Sequence, residues 1–138
     1  MIADDATRGF APWPSKGAFV PSFATLWYRR SGDQLVFRVE VLPAHCNSAH
    51  IAHGGFLATL ADVWLGANVA QQLPGDTRFV TANLVVDFLK PVSIGTWLES
   101  EIDRIKIGTR LCHASGAILA DGVAVAAMRA TFALLGRG

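Results

Sequence analysis

Cysteine is scarce in this 138-residue chain, with Cys46 and Cys112 the only two. Two thiols make no disulfide framework, so the fold must be held by a core. Charge is scarce too: 17% of residues are Asp, Glu, Lys or Arg, against 51% hydrophobic and a mean hydropathy of +0.35. Twelve basic residues nearly balance eleven acidic ones, and they are spread along the chain. No basic stripe exists to track a nucleic-acid backbone, which argues against nucleic acid as a partner. Long apolar runs are missing as well. The best, residues 54–70, is broken by Thr59, Asp62 and Asn68 and falls short of the ~20 residues a bilayer requires, so no membrane span is expected. The first residues carry Asp4 and Asp5 where a secretory leader carries Lys or Arg, and no apolar segment follows. The expected location is cytoplasmic.

What is present is enough for one core. A chain this long builds a single domain, expected over residues 21–138, behind an extended N-terminal arm over residues 1–20 that is rich in Gly and Pro. Phe10, Trp13 and Phe19 are placed to dock the arm. So apolar a chain cannot cover itself with polar residues, and a homo-oligomer is expected. Residues 23–30 read as a first strand, and Ser31-Gly32-Asp33 as a turn. In residues 35–41 the apolar Leu35, Phe37, Val39 and Val41 alternate with polar neighbours, and Pro43 ends the run. A helix follows over residues 54–73, stopped by Pro74-Gly75-Asp76. Its apolar residues cover nearly the whole circumference, which predicts enclosure by protein on all sides. Four strands complete the chain, at about 79–89, 97–107, 110–120 and 123–135. Gly108-Thr109 and Asp121-Gly122 suit tight hairpins. One helix cannot serve a doubly wound fold. The order predicts an α+β architecture, an antiparallel sheet wrapped around one central helix.

The chemistry concentrates at the mouth of that helix. Asn47 leads through His50 to His53-Gly54-Gly55, which puts bare N–H groups at a helix N-terminus. Eight residues after Gly54 stands one acid, Asp62, on a face of small residues that includes Gly55, Ala58, Thr59 and Gly66. A carboxylate in so apolar a helix needs a partner or a task. Amides that favour an oxyanion and an acid that activates water form a matched pair. The plainer alternatives are a helix start that needs glycine, a turn-capping Asn47 and a solvated acid. His45, Cys46, His50 and His53 lie within nine residues, yet their spacing fits no structural zinc pattern, and no metal is expected. A Cys46 thiolate activated by His45 or His50 is a rival nucleophile. Thr81 alternates with Phe79, Asn83, Val85 and Asp87 on one face of its strand, where it is either solvent-facing or functional.

Asn47, His53-Gly54-Gly55, Asp62, Thr81, Phe88-Leu89-Lys90-Pro91 and Gly95 occur in an order that resembles the hotdog-fold acyl-CoA thioesterases. The likeness is to the phenylacetyl-CoA thioesterase (PaaI-like) branch of the 4-hydroxybenzoyl-CoA thioesterase superfamily, over residues 35–135. The resemblance implies a hotdog fold and hydrolysis of a small or medium acyl-CoA, with aryl-acetyl groups among the candidates. It implies that the Gly54 N–H, aided by Asn47, polarises the thioester carbonyl. Asp62 is then general base or nucleophile, Thr81 orients the water or the acid, and His53 shapes the turn. Sites shared across a homodimer, and a dimer of dimers, are implied too. No cofactor is expected, coenzyme A being part of the substrate. Its phosphates need cations and backbone donors, for which Arg78, Lys90 and the Lys106, Gly108, Thr109, Arg110 hairpin are the candidates. Gly55 and His50 are assigned to substrate binding, and His50 stands where the family commonly has glycine. The alternatives are a non-catalytic acyl-CoA-binding hotdog module and a hotdog dehydratase or hydratase.

Overall fold

In the computed structural model, which describes residues 3–137, the chain runs through α1 (Ala3–Thr7), β1 (Ala11–Pro12), β2 (Trp27–Ser31), β3 (Gln34–Glu40) and α2 (Gly54–Ala70). It continues through β4 (Thr77–Phe88), β5 (Trp97–Ile107), β6 (Leu111–Ala120) and β7 (Val123–Arg137). The strands form one antiparallel sheet in the order β1-β2-β3-β5-β6-β7-β4, and α2 packs across its inner face. This is the hotdog architecture.

Local sequence explains most of the boundaries. In β3, Leu35, Phe37 and Val39 are buried while Val36, Arg38 and Glu40 face the other way, as their alternation requires. Asp121 and Gly122 both take positive φ, at 50° and 77°, so the β6–β7 hairpin turns with the twist of its strands. At the other hairpin a side chain on Gly108 would collide with the Leu111 carbonyl, so only glycine fits. β2 begins at Trp27, later than residue 23, because a short 3₁₀ turn at Val20–Ser22 precedes it. α2 ends at Ala70, three residues before the expected stop, and residues 71–73 form turns.

The helix is anchored by one polar side chain. Asn68 is fully buried; its carbonyl accepts from the Leu35 N–H at 2.8 Å, and its amide donates to the Leu35 and Trp64 carbonyls. That clamp fixes α2 against β3. Phe56, Leu57, Leu60, Trp64 and Leu65 fill the space between helix and sheet. A single chain does not enclose α2 on all sides, however. Ala58, Thr59, Asp62 and Gly66 are only half-buried, because the sheet covers one flank of the helix and leaves the other open.

Residues 3–20 are not simply extended, since α1 is helical and β1 pairs with β2. Trp13 packs edge-on against Tyr28 and Phe37 at 5.0 and 5.2 Å. The Arg38 guanidinium lies 4.3 Å from the Phe10 ring and donates to the Ala6 carbonyl and to Glu99. Phe19 stays 68% exposed, its ring meeting Phe23 at 5.2 Å in an edge-on contact. Among the described residues no helix is long and apolar enough to cross a membrane.

Candidate active site

The loop before α2 is built on backbone hydrogen bonds. His45 is buried and uses both ring nitrogens: Nδ1 accepts from the Leu42 N–H at 3.0 Å, so Nε2 carries the proton donated to the Phe23 carbonyl at 2.7 Å. The ring stacks on Phe56 at 3.9 Å. With neither nitrogen free, His45 cannot ligate zinc or activate Cys46, whose thiol donates to the Leu42 carbonyl. Asn47 holds the next turn, its Oδ1 accepting from the Ala49 and Ile51 N–H groups at 2.9 and 3.2 Å. Among the described residues its amide hydrogens donate to nothing. His50 completes the turn with φ at 62°, a left-handed conformation that favours glycine and that histidine enters at a cost.

His53 is the N-cap residue of α2, with extended backbone and an exposed side chain that makes no cap bond. Its carbonyl accepts from Phe56 and Leu57, while the N–H groups of Gly54 and Gly55 donate to nothing among the described residues. Both point out of the helix start, where the dipole favours negative charge. The Phe88 ring lies against Gly54, its tip 3.2 Å from where a β-carbon would sit. Phe88, Leu57, Leu89, Lys90 and Val92 line an open cavity of about 350 Å³ beside these amides. Phe88 was not among the residues the sequence singled out for the site. Its signal was available: an aromatic at the last position of a strand, just before Leu89-Lys90-Pro91.

Two turns along α2, Asp62 is half-buried, and the Thr81 hydroxyl donates to its Oδ1 at 2.6 Å. Simple alternation would set Thr81 on the same face as Asn83, Val85 and Asp87. Instead β4 carries a register irregularity between Thr81 and Asn83. Thr81 lies opposite buried Phe132, and Leu84 and Val86 lie opposite buried Ala130 and Met128, so all three face the helix. The bulge inserts one residue and flips the pattern.

Gly54 and Asp62 do not meet within one chain. Eight helical residues separate them by about 12 Å along the axis, and about 80° around it. Phe88 beside Gly54, Thr81 beside Asp62 and Phe79 beside Gly66 show that α2 runs antiparallel to β4. The candidate cations separate likewise. Lys90 flanks the Gly54 cavity. Arg78 lies at the opposite end of β4, the end shared by the Lys106, Gly108, Thr109 and Arg110 hairpin, where the Arg110 carbonyl accepts from Leu134, the neighbour of Phe79.

A family model described as the thioesterase superfamily matches residues 49–127. A Pseudomonas aeruginosa protein provisionally named an esterase is 37% identical over 128 residues, 92% of this chain and 96% of that one. A Bacillus halodurans protein solved with coenzyme A superposes with a TM-score of 0.67 at 31% identity, over 72% of this chain and 66% of that one. The Escherichia coli PaaI protein, from the phenylacetic acid degradation operon, shares the fold at a TM-score of 0.76 and 20% identity, over 88% and 87% of the two chains.

Proposed function

The chain belongs to the thioesterase superfamily, and from that membership we propose that it hydrolyses a small or medium acyl-CoA thioester, aryl-acetyl groups among them. The observation that carries the proposal is the Thr81–Asp62 hydrogen bond. It occupies one carboxylate oxygen and leaves the other free to take a proton from water. The water oxygen attacks the thioester carbon, and the carbonyl oxygen becomes an oxyanion. The Gly54 N–H and the Asn47 amide receive that charge, and each such donor is worth about 3 kcal/mol at the transition state. Collapse breaks the C–S bond, the coenzyme A thiolate takes the proton, and the carboxylic acid leaves. The coenzyme A bound to the Bacillus halodurans relative supports this substrate class.

The separation of Gly54 and Asp62 requires a second copy. β4 is an edge strand of twelve residues, paired only with β7, and it exposes Val80, Phe88 and the following Leu89. Such an edge is a template for pairing. In an antiparallel β4–β4 pair about a two-fold axis near Leu84 and Val85, the Phe88 end of one chain meets Thr81 of the other. The amides of one copy then face the acid of its partner, giving a homodimer with two shared sites.

Thiol release from a panel of acyl-CoAs, followed with a thiol reagent, tests the proposal. Turnover of at least one short, medium or aryl-acetyl ester is expected. Saturable acyl-CoA binding without thiol release would make the protein a binding module instead.

A further inference from the structure

The outer face of the sheet, away from α2 and from the proposed site, carries a second polar cluster. Arg104 on β5 and Arg129 on β7 are the register partners of Ser115 on β6, one on each side. In the next row His113 pairs with Thr131, and Thr131 with Asn83 on β4. These six side chains line a cleft of about 200 Å³, floored by the backbone at Ala114 and Ala130. Every one of them can donate a hydrogen bond, and none is an acid. Among the described residues neither guanidinium is in an ion pair. The Ser115 hydroxyl spends its proton on the Asp103 carboxylate at 2.5 Å, and the His113 ring contacts the Thr131 hydroxyl at 3.1 Å. Two guanidiniums two strands apart, neither in an ion pair, with the Thr131, His113 and Asn83 donors in the row beside them, suit a multiply charged oxyanion better than a neutral ligand. A bulge at Asp103, between Ile102 and Arg104, re-aims β5 beside this row.

We infer that this cleft binds a phosphate or pyrophosphate group. Two sources share that chemistry: the nucleotide end of the acyl-CoA substrate, which rests on the reading above, and a free phosphorylated compound, which does not. Inorganic pyrophosphate titrated into the whole protein by calorimetry is the direct probe. Saturable binding is expected, weakened at least about tenfold in Arg104→Gln and in Arg129→Gln, the loss of one charge-assisted contact. Unchanged melting temperatures would show that the variants fold. Steady-state rates on an acyl-CoA and on the same acyl group as its N-acetylcysteamine thioester then separate the sources. If the nucleotide is the ligand, KM for the acyl-CoA rises about tenfold with kcat kept, while KM for the truncated ester stays put. If a free phosphorylated compound is the ligand, both KM values stay put although pyrophosphate binding is lost. Wild-type protein that binds no pyrophosphate, or variants that bind it equally well, overturns the inference. So does a change of sedimentation in the variants without pyrophosphate binding, which would make the face a contact between copies. The calorimetry decides the cleft even if no acyl-CoA is hydrolysed.

Discussion

The Thr81 hydroxyl donates to Asp62 at 2.6 Å, the one side-chain hydrogen bond that carboxylate makes among the described residues. A threonine from an edge strand therefore holds the lone acid of an apolar helix. The consequence for catalysis is direct. Asp62→Asn keeps the shape and removes the base, and kcat is expected to fall by on the order of 10²–10⁴. Thr81→Val should cost about tenfold in kcat, with Thr81→Ser restoring it. Wild-type kcat in Asp62→Asn would refute the assignment.

Shared sites make inactive subunits complement each other. Asn47→Asp keeps the oxygen that holds the loop but removes the amide donor. Mixed with Asp62→Asn and reassembled, half the dimers are hybrids, each with one intact site. Activity should return to about one quarter of wild type. No recovery on mixing, with hybrids demonstrated by mass, would place each site within a single chain.

A side chain at Gly54 requires the Phe88 ring to give way by a few tenths of an ångström. A β-carbon would lie 3.2 Å from the Phe88 ring tip, and that ring ends a strand. Gly54→Ala should cost about 1–3 kcal/mol by overpacking. Phe88→Leu in the same chain should recover most of it. Denaturant titration of the single and double variants measures the coupling.

His50 offers the opposite sign. Its φ of 62° suits glycine, and the side chain makes no hydrogen bond among the described residues. His50→Gly is expected to stabilise the fold by about 1 kcal/mol, read as a higher Tm. An unchanged or lower Tm would mean that the imidazole contributes more than the strain it imposes. Comparing KM across the acyl panel in this variant tests the assignment of His50 to substrate binding.

Much of the architecture was legible in the residues. The alternation of β3, the Asp121-Gly122 turn and the helix opening at Gly54 follow from local periodicity and backbone preference, which act within a few residues. Asp62 stood out because an acid in an apolar helix is conspicuous. What eluded the sequence depends on tertiary placement. The Thr81–Asp62 bond needs a bulge that no residue between Thr81 and Asn83 announces, and alternation had placed Thr81 on the wrong face. His45 looked reactive beside Cys46, and only the folded loop shows both its nitrogens spent on the Leu42 and Phe23 backbones. The outer cleft joins β4, β5, β6 and β7 through register, which composition does not reveal.

The extra residue in β4 also constrains how this protein can change. Deleting it would straighten the strand and turn Thr81 away from the helix, while Leu84, Val86 and Phe88 kept their places. The carboxylate would lose its hydrogen bond from Thr81 although every side chain in the site was still encoded. Strand length ahead of Asn83 thus acts as a parity switch, and single insertions or deletions there should silence the enzyme more thoroughly than most substitutions.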